Sequence, residues 1–305
     1  MIESIHKYAK IGLIHFMAYP STIKGEGPIE ETIRKIAVDD YFDAIEITWI
    51  KDGETRKRAK KMLDSSHLAV AYGGQPRMLT TGQNINDLDE EKRLITLANL
   101  KEGIDEAYEM GAVGFGFLSG KYTDDKREEA YQALVKSTKE LCAYAKSKGN
   151  LKVALEVFDY DIDKCALIGP VDLTKRFAQE ICAAFDNFGL MVDLSHLPIL
   201  HETARQSLIP VKNYIIHAHM GNCMMKDKQD PAYGDAHPRF GYPGGENDVE
   251  ELVEYLKVLF EIGYLDPNNR RFLSFEVKPV GDEDPDIVVA NAKRVLNLAW
   301  ALVNN

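Results

Sequence analysis

Short apolar runs recur along the chain at residues 11–17, 44–49, 68–72, 113–118, 153–158, 190–194, 214–218 and 272–277. Each is rich in aliphatic, β-branched or aromatic residues and is bounded by glycine or polar positions, the signature of a buried strand. Between them, residues 29–38, 94–110, 127–148, 173–188, 249–262 and 287–303 carry apolar positions at the helical period. Connections of that length return the chain to a parallel neighbouring strand. About eight strand–helix units, with no Gly-x-Gly-x-x-Gly after the first strand, predict an α/β fold: a single (β/α)8 TIM barrel rather than a doubly wound sheet.

Local punctuation agrees. Asp248 precedes Val249-Glu250-Glu251 as an N-cap with acids in the first turn, and Gly149, Gly189 and Gly263 follow helical stretches as C-cap residues would. No linker-like stretch interrupts the pattern, so residues 1–305 read as one barrel domain.

In a barrel of this kind the chemistry sits at the C-terminal ends of the strands. Four polar residues end apolar runs in its second half: Glu156, Asp193, His219 and Glu276. Carboxylates pointing into one mouth repel unless a proton or cation neutralises them. Three carboxylates and one imidazole make a mostly hard, oxygen-rich donor set for one divalent ion, best suited to Mn2+, with Mg2+, Co2+ or Zn2+ as alternatives. His196, three residues beyond Asp193, is close enough to contact the same ion or its substrate. His217 shares the face of its strand with His219 and is expected to lie deeper, as a buried support.

Composition narrows the partners. The chain is 45% hydrophobic and 28% charged, which excludes disorder, and 37 basic against 48 acidic residues leave a net charge of −11, which argues against nucleic acid. No apolar run reaches the roughly 20 residues of a membrane span and no leader-like segment opens the chain, so a cytoplasmic protein with no membrane partner is expected. Cys142, Cys165, Cys182 and Cys223 match no zinc-binding spacing and read as reduced thiols.

At these residues the sequence resembles the sugar phosphate isomerase/epimerase superfamily, the xylose isomerase-like barrels, over essentially its whole length. The shared pattern is a Glu after the fifth strand, Asp-x-x-His after the sixth, His-x-His after the seventh and Glu in the eighth. The resemblance implies that Glu156, Asp193, His219 and Glu276 ligate the ion, that His196 meets the substrate oxygens, and that Glu156 and Glu276 flank the sugar as proton carriers. Where ketose epimerases place an arginine six residues beyond the metal histidine, this chain has Met225.

Residues 221–247 form a long Gly-rich segment expected to be an active-site lid after strand 7, with Asp235, His237 and Arg239 as substrate contacts. Its Asp-x-His resembles a loop of endonuclease IV that binds a further zinc. That enzyme also needs histidines from early strands, where this chain has Gln75 and Ser119. Early strand ends add His15, Glu46, Trp49, Gln75 and Lys121 as candidates, with His15, Trp49 and Lys121 taken toward the substrate and Trp49 as an apolar platform. Residues 73–87 are long enough to cover the mouth. The run Lys57-Arg58-Lys60-Lys61 reads as a solvated helix face.

These groups predict a divalent-metal-dependent enzyme that removes the proton alpha to the carbonyl of a ketose or oxo-sugar, an isomerase or epimerase. A lyase is the alternative: related barrels serve as the catalytic alpha subunit of C-glycoside deglycosidases, which cleave 3-oxo-glucosides beside a small beta subunit. A sugar-binding subunit without catalysis is the third reading. A homo-oligomer is expected for the first reading and a hetero-oligomer with that beta subunit for the second.

Overall fold

A computed structural model of the chain describes residues 3–303. Eight strands close into a barrel in chain order: β1 (Ala9–Ile14), β2 (Ala44–Ile47), β3 (Ala69–Gly73), β4 (Gly114–Leu118), β5 (Lys152–Glu156), β6 (Phe188–Asp193), β7 (Ile215–Gly221) and β8 (Arg271–Glu276). All neighbours are parallel, and β8 pairs back onto β1 with Gly12 opposite Ser274. Helices fill the connections: α1 (His15–Ala18), α2 (Ile29–Ala37), α3 (Gly53–Ser66), α4 (Gln75–Leu79), α5 (Glu90–Glu109), α6 (Arg127–Lys148), α7 (Val171–Cys182), α8 (His196–Ile199), α9 (Ala204–Leu208), α10 (Val249–Glu261) and α11 (Pro285–Val303). The predicted (β/α)8 architecture is therefore the observed one.

The differences lie at element ends. The first strand begins two residues before its apolar run and stops at Ile14, because His15 opens the one-turn helix α1. The helical pattern of 173–188 ends at Cys182, since the Asn187 carbonyl is taken by the Val153 N–H and Phe188 already belongs to β6. Gly189 is thus a strand residue rather than a cap, packed where a Cβ would fall 2.6 Å from Ile216. Asp248 does precede α10, and its own N–H donates to the Glu251 carboxylate at 2.9 Å. The basic run lies on exposed turns of α3, with Lys57 on Glu54 and Arg58 on Glu30, each at 2.7 Å.

Most apolar burial lies between the barrel wall and the helices, where Ile11, Leu13, Phe117, Leu155 and Phe275 are almost fully covered. The interior differs. Its apolar cluster is small, formed by Ala44, Ala71 and Phe272 with Ala69 against them, where barrels of this type are normally filled by layers of bulky branched side chains. The space released is given to polar side chains at one end and to a cavity at the other. No helix among the described residues is long and apolar enough to cross a membrane.

Candidate metal centre

The ends of β5, β6, β7 and β8 bring Glu156, Asp193, His219 and Glu276 together at the floor of the C-terminal mouth, each all but fully buried. One ligand atom from each can be chosen so that all four lie within 4.8 Å of one another. His219 Nδ1 is the hub: Glu276 Oε2 is 2.8 Å away, Glu156 Oε1 3.2 Å and Asp193 Oδ2 3.9 Å. One imidazole cannot serve three carboxylates. Asp193 Oδ2 and Glu276 Oε2 are left buried without a hydrogen bond of adequate geometry, a costly state in a low-dielectric interior. The donor set, its spacing and these orphaned oxygens fit a divalent cation.

The electrostatics agree. Burial, reinforced by the charge of Glu156, pushes the Glu276 carboxyl up to about 7. For His219 burial acts to lower the pKa, and the carboxylates of Glu46, Glu156 and Glu276 override it and hold it well above the usual imidazole value. Both shifts express the same crowding of negative charge.

Two residues outside the last four strands complete the arrangement. Glu46, inward on β2, accepts from His217 Nε2 at 2.7 Å and lies 3.3 Å from His219 Nε2. Burial would raise the Glu46 carboxyl, yet the two imidazoles hold it well below the usual range. His217 is accordingly the deeper histidine of the pair. Gln75, the first residue of α4, donates through Nε2 to Glu156 Oε2 at 2.7 Å. Of residues 73–87, Gly73, Gln75, Pro76 and Leu79 border the mouth, three of them on α4.

The loop after β7 brings Asp235 and His237 into the same mouth. Asp235 Oδ1 lies 3.1 Å from His196 Nε2 and 3.0 Å from His237 Nε2, and its Oδ2 pairs with Lys164 at 3.0 Å. His196 Nδ1 donates to the Val157 carbonyl at 2.7 Å, which aims Nε2 at the site. Lys164 is held by Asp159, whose carboxylate accepts from the backbone N–H groups of Ile162, Asp163 and Lys164. Asp193, His196 and His237 also have ligand atoms within 4.8 Å of one another. Asp235, which touches both histidines of this second cluster, carries its own cation in Lys164, whereas the carboxylates of the first have imidazole alone.

Above the floor lies a cavity of about 180 Å3. Glu46, Gln75, Glu156, His219, Asp235, His237 and Glu276 line its polar side, and Phe16, Leu79 and Phe158 its apolar side, with Lys164 and Lys278 also reaching it. Four expected substrate contacts lie elsewhere. His15 is buried against Thr32 at 2.7 Å, and burial pushes its ring down to about 3, so it packs as a neutral imidazole. Trp49 donates to the Ile23 carbonyl and borders an outer cavity beside Arg77. Lys121 is exposed, its carbonyl held by Asn84 and Asn86. Arg239 turns to Glu283 at 2.9 Å.

The family model described as xylose isomerase-like TIM barrel matches residues 35–293. Among solved structures, the chain is similar to a D-tagatose 3-epimerase-like protein (20% identity over 97% of this chain and 98% of that one, TM-score 0.72). It is likewise similar to D-psicose 3-epimerase from Clostridium cellulolyticum H10 (17%, 96% and 99%, TM-score 0.69) and to 3-keto-D-glucoside 4-epimerase from E. coli (18%, 95% and 99%, TM-score 0.66). At these identities the likeness is one of fold. No curated protein matches the sequence at significance.

Proposed function

The chain belongs to the xylose isomerase-like TIM-barrel family, and from that premise we propose that it is a divalent-metal-dependent enzyme of the sugar isomerase or epimerase type, abstracting the proton alpha to the carbonyl of a ketose or oxo-sugar. The observation that carries this reading is the convergence of Glu156, Asp193, His219 and Glu276, with unsatisfied oxygens, beneath a cavity of about 180 Å3. The sugar epimerases among its structural neighbours support it.

Glu156, Asp193, His219 and Glu276 would hold the ion, Mn2+ best fitting so oxygen-rich a set. Such an ion supplies Lewis acidity, polarising a carbonyl and neighbouring hydroxyl so that the C–H between them becomes acidic. The protein supplies the rest. Glu156 and Glu276 enter the cavity from β5 and β8, so a proton taken by one carboxylate and returned by the other reaches opposite faces of the same carbon, the requirement for epimerisation. Gln75 fixes the Glu156 carboxylate, and His196, His237 and Lys164 gather around Asp235 as partners for substrate oxygens. Phe16, Leu79 and Phe158 exclude water from one side of the bound molecule.

The test is solvent exchange. Metal-loaded protein in D2O is incubated with ketoses, inososes and 3-oxo-glucosides, and the small molecules are read by NMR after protein removal. Deuterium entering carbon without elimination supports the proposal and names the carbon. Release of an aglycone moves the chain to the lyases and to an assembly with a small partner subunit. No exchange with any member of the panel, metal being bound, overturns the reading.

A further inference from the structure

The barrel has a second opening, at the N-terminal ends of its strands, which the proposed reaction does not use. A cavity of about 320 Å3 enters there, larger than the one above the metal centre. It exists because the inward positions at this level are small: Ala71 on β3 stands opposite Gly114 on β4, and Gly116 stands opposite Ala154 on β5. Phe272 and His217 close the far wall, their rings stacked at 5.1 Å with 20° between planes. The His217–Glu46 hydrogen bond separates this cavity from the upper one.

The rim is cationic. Lys152 and Arg271 line this mouth, and Lys10 reaches its Phe272 wall from a neighbouring cavity, in a chain of net charge −11. Lys152 Nζ donates to the Asp186 carbonyl at 3.0 Å, Arg271 Nη1 to the carbonyls of Gly263 and Tyr264 at 3.2 and 3.4 Å, and Lys10 Nζ lies 5.6 Å over the Phe272 ring. None of the three forms an ion pair with a carboxylate among the described residues. Arg270, the neighbour of Arg271, is by contrast neutralised by Asp43 at 2.7 Å.

We propose that this mouth binds a small organic anion with a flat apolar body, of the aromatic carboxylate class. The body fills the space over Gly114 and Ala71 against Phe272, and the carboxylate lies at the rim with Lys152 and Arg271. An apolar lining with convergent charge at one edge is the ordinary build of a small-molecule site, and unpaired cations beside it select the sign of the ligand.

The probe is 2-naphthoate, titrated into the full chain at low salt and followed by its fluorescence and by calorimetry. Saturable binding of one molecule per chain is expected. Gly114→Leu abolishes it: a Cβ built at Gly114 meets no atom within 4 Å, so the new side chain grows into the cavity without displacing a neighbour. Lys152→Glu, a charge reversal at an exposed position, weakens it about tenfold or more. Lys57→Glu, the same charge reversal on the exposed face of α3, leaves it unchanged. Absence of saturable binding, equal binding of neutral 2-naphthylmethanol, wild-type affinity in both Gly114→Leu and Lys152→Glu, or equal weakening by Lys57→Glu and Lys152→Glu overturns the assignment.

Discussion

His219 turns its Nε2 toward Glu46, 3.3 Å from Oε2, and in doing so presents Nδ1 to the carboxylates of Glu156, Asp193 and Glu276. A histidine that donates one ring N–H to a carboxylate has its other nitrogen fixed in orientation and made more basic, which is how metal-binding imidazoles are ordinarily supported. Glu46→Gln keeps the shape and removes the charge. Metal affinity is expected to fall about ten- to hundredfold, with far-ultraviolet circular dichroism unchanged, when Mn2+ is titrated against a competing chelator. Unaltered affinity would show that Glu46 serves His217 alone.

The buried carboxylates also make a prediction about stability. Asp193 Oδ2 and Glu276 Oε2 share a single imidazole and lack a hydrogen bond of adequate geometry, so a cation that binds only the folded state relieves that crowding and adds binding energy. At a free concentration about one hundred times Kd, such binding contributes about 2.7 kcal/mol. Chelator-treated protein should melt several degrees higher once Mn2+ is restored, by calorimetry or dye fluorescence. Glu156→Gln should lose most of that rise, and a rise of equal size in the variant would place the ion elsewhere.

Why the sequence shows one half of the site more clearly than the other follows from geometry. Glu156, Asp193 and Glu276 end their strands and His219 lies two residues before the end of its own, and in a parallel barrel strand ends share one mouth, so linear position already implies proximity. Glu46 is also inward near the end of β2, but its pairing with His217 arises across 171 residues of chain only when the barrel closes. Gln75 is further hidden, because it reaches Glu156 from a short helix whose Gly-Gly-Gln-Pro start looks like a loop. His15 and Trp49 mislead for the converse reason: both follow a strand, but the chain turns at once, and they pack against Thr32 and the Ile23 carbonyl outside the mouth.

Gln75 offers a test of positioning as distinct from ligation. Its Nε2 holds Glu156 Oε2 at 2.7 Å, while Glu156 Oε1 faces His219. Gly116 makes room for it, since a Cβ there would fall 2.9 Å from Gln75 Nε2 and 3.0 Å from Met191 Cε. Gln75→Ala frees one carboxylate oxygen without removing a ligand. On whichever sugar the exchange experiment identifies, kcat should fall, by up to about hundredfold for a misplaced catalytic group, with KM and metal affinity little changed. A loss confined to metal affinity would instead make Gln75 a support of the ion.

The helix that carries Gln75 is itself anchored by a buried ion pair. Arg77 Nη2 meets Glu106 Oε2 on α5 at 2.7 Å, Arg77 Nε donates to the Tyr72 hydroxyl at 3.0 Å, and Glu106 Oε1 accepts from the Ile50 N–H at 2.6 Å. Both side chains are below 10% exposed, so either charge left alone is expensive. Arg77→Met and Glu106→Gln should each cost about 3–5 kcal/mol in urea unfolding, Arg77→Met toward the lower end because Arg56 stands 4.0 Å from Glu106. Arg77→Met combined with Glu106→Gln should cost less than the sum of the two, because no uncompensated charge remains. Simple additivity would mean that the pair is not coupled, and that Arg77 anchors α4 through the Tyr72 hydroxyl and through Asn99 Oδ1, to which its Nη1 donates at 3.0 Å, instead.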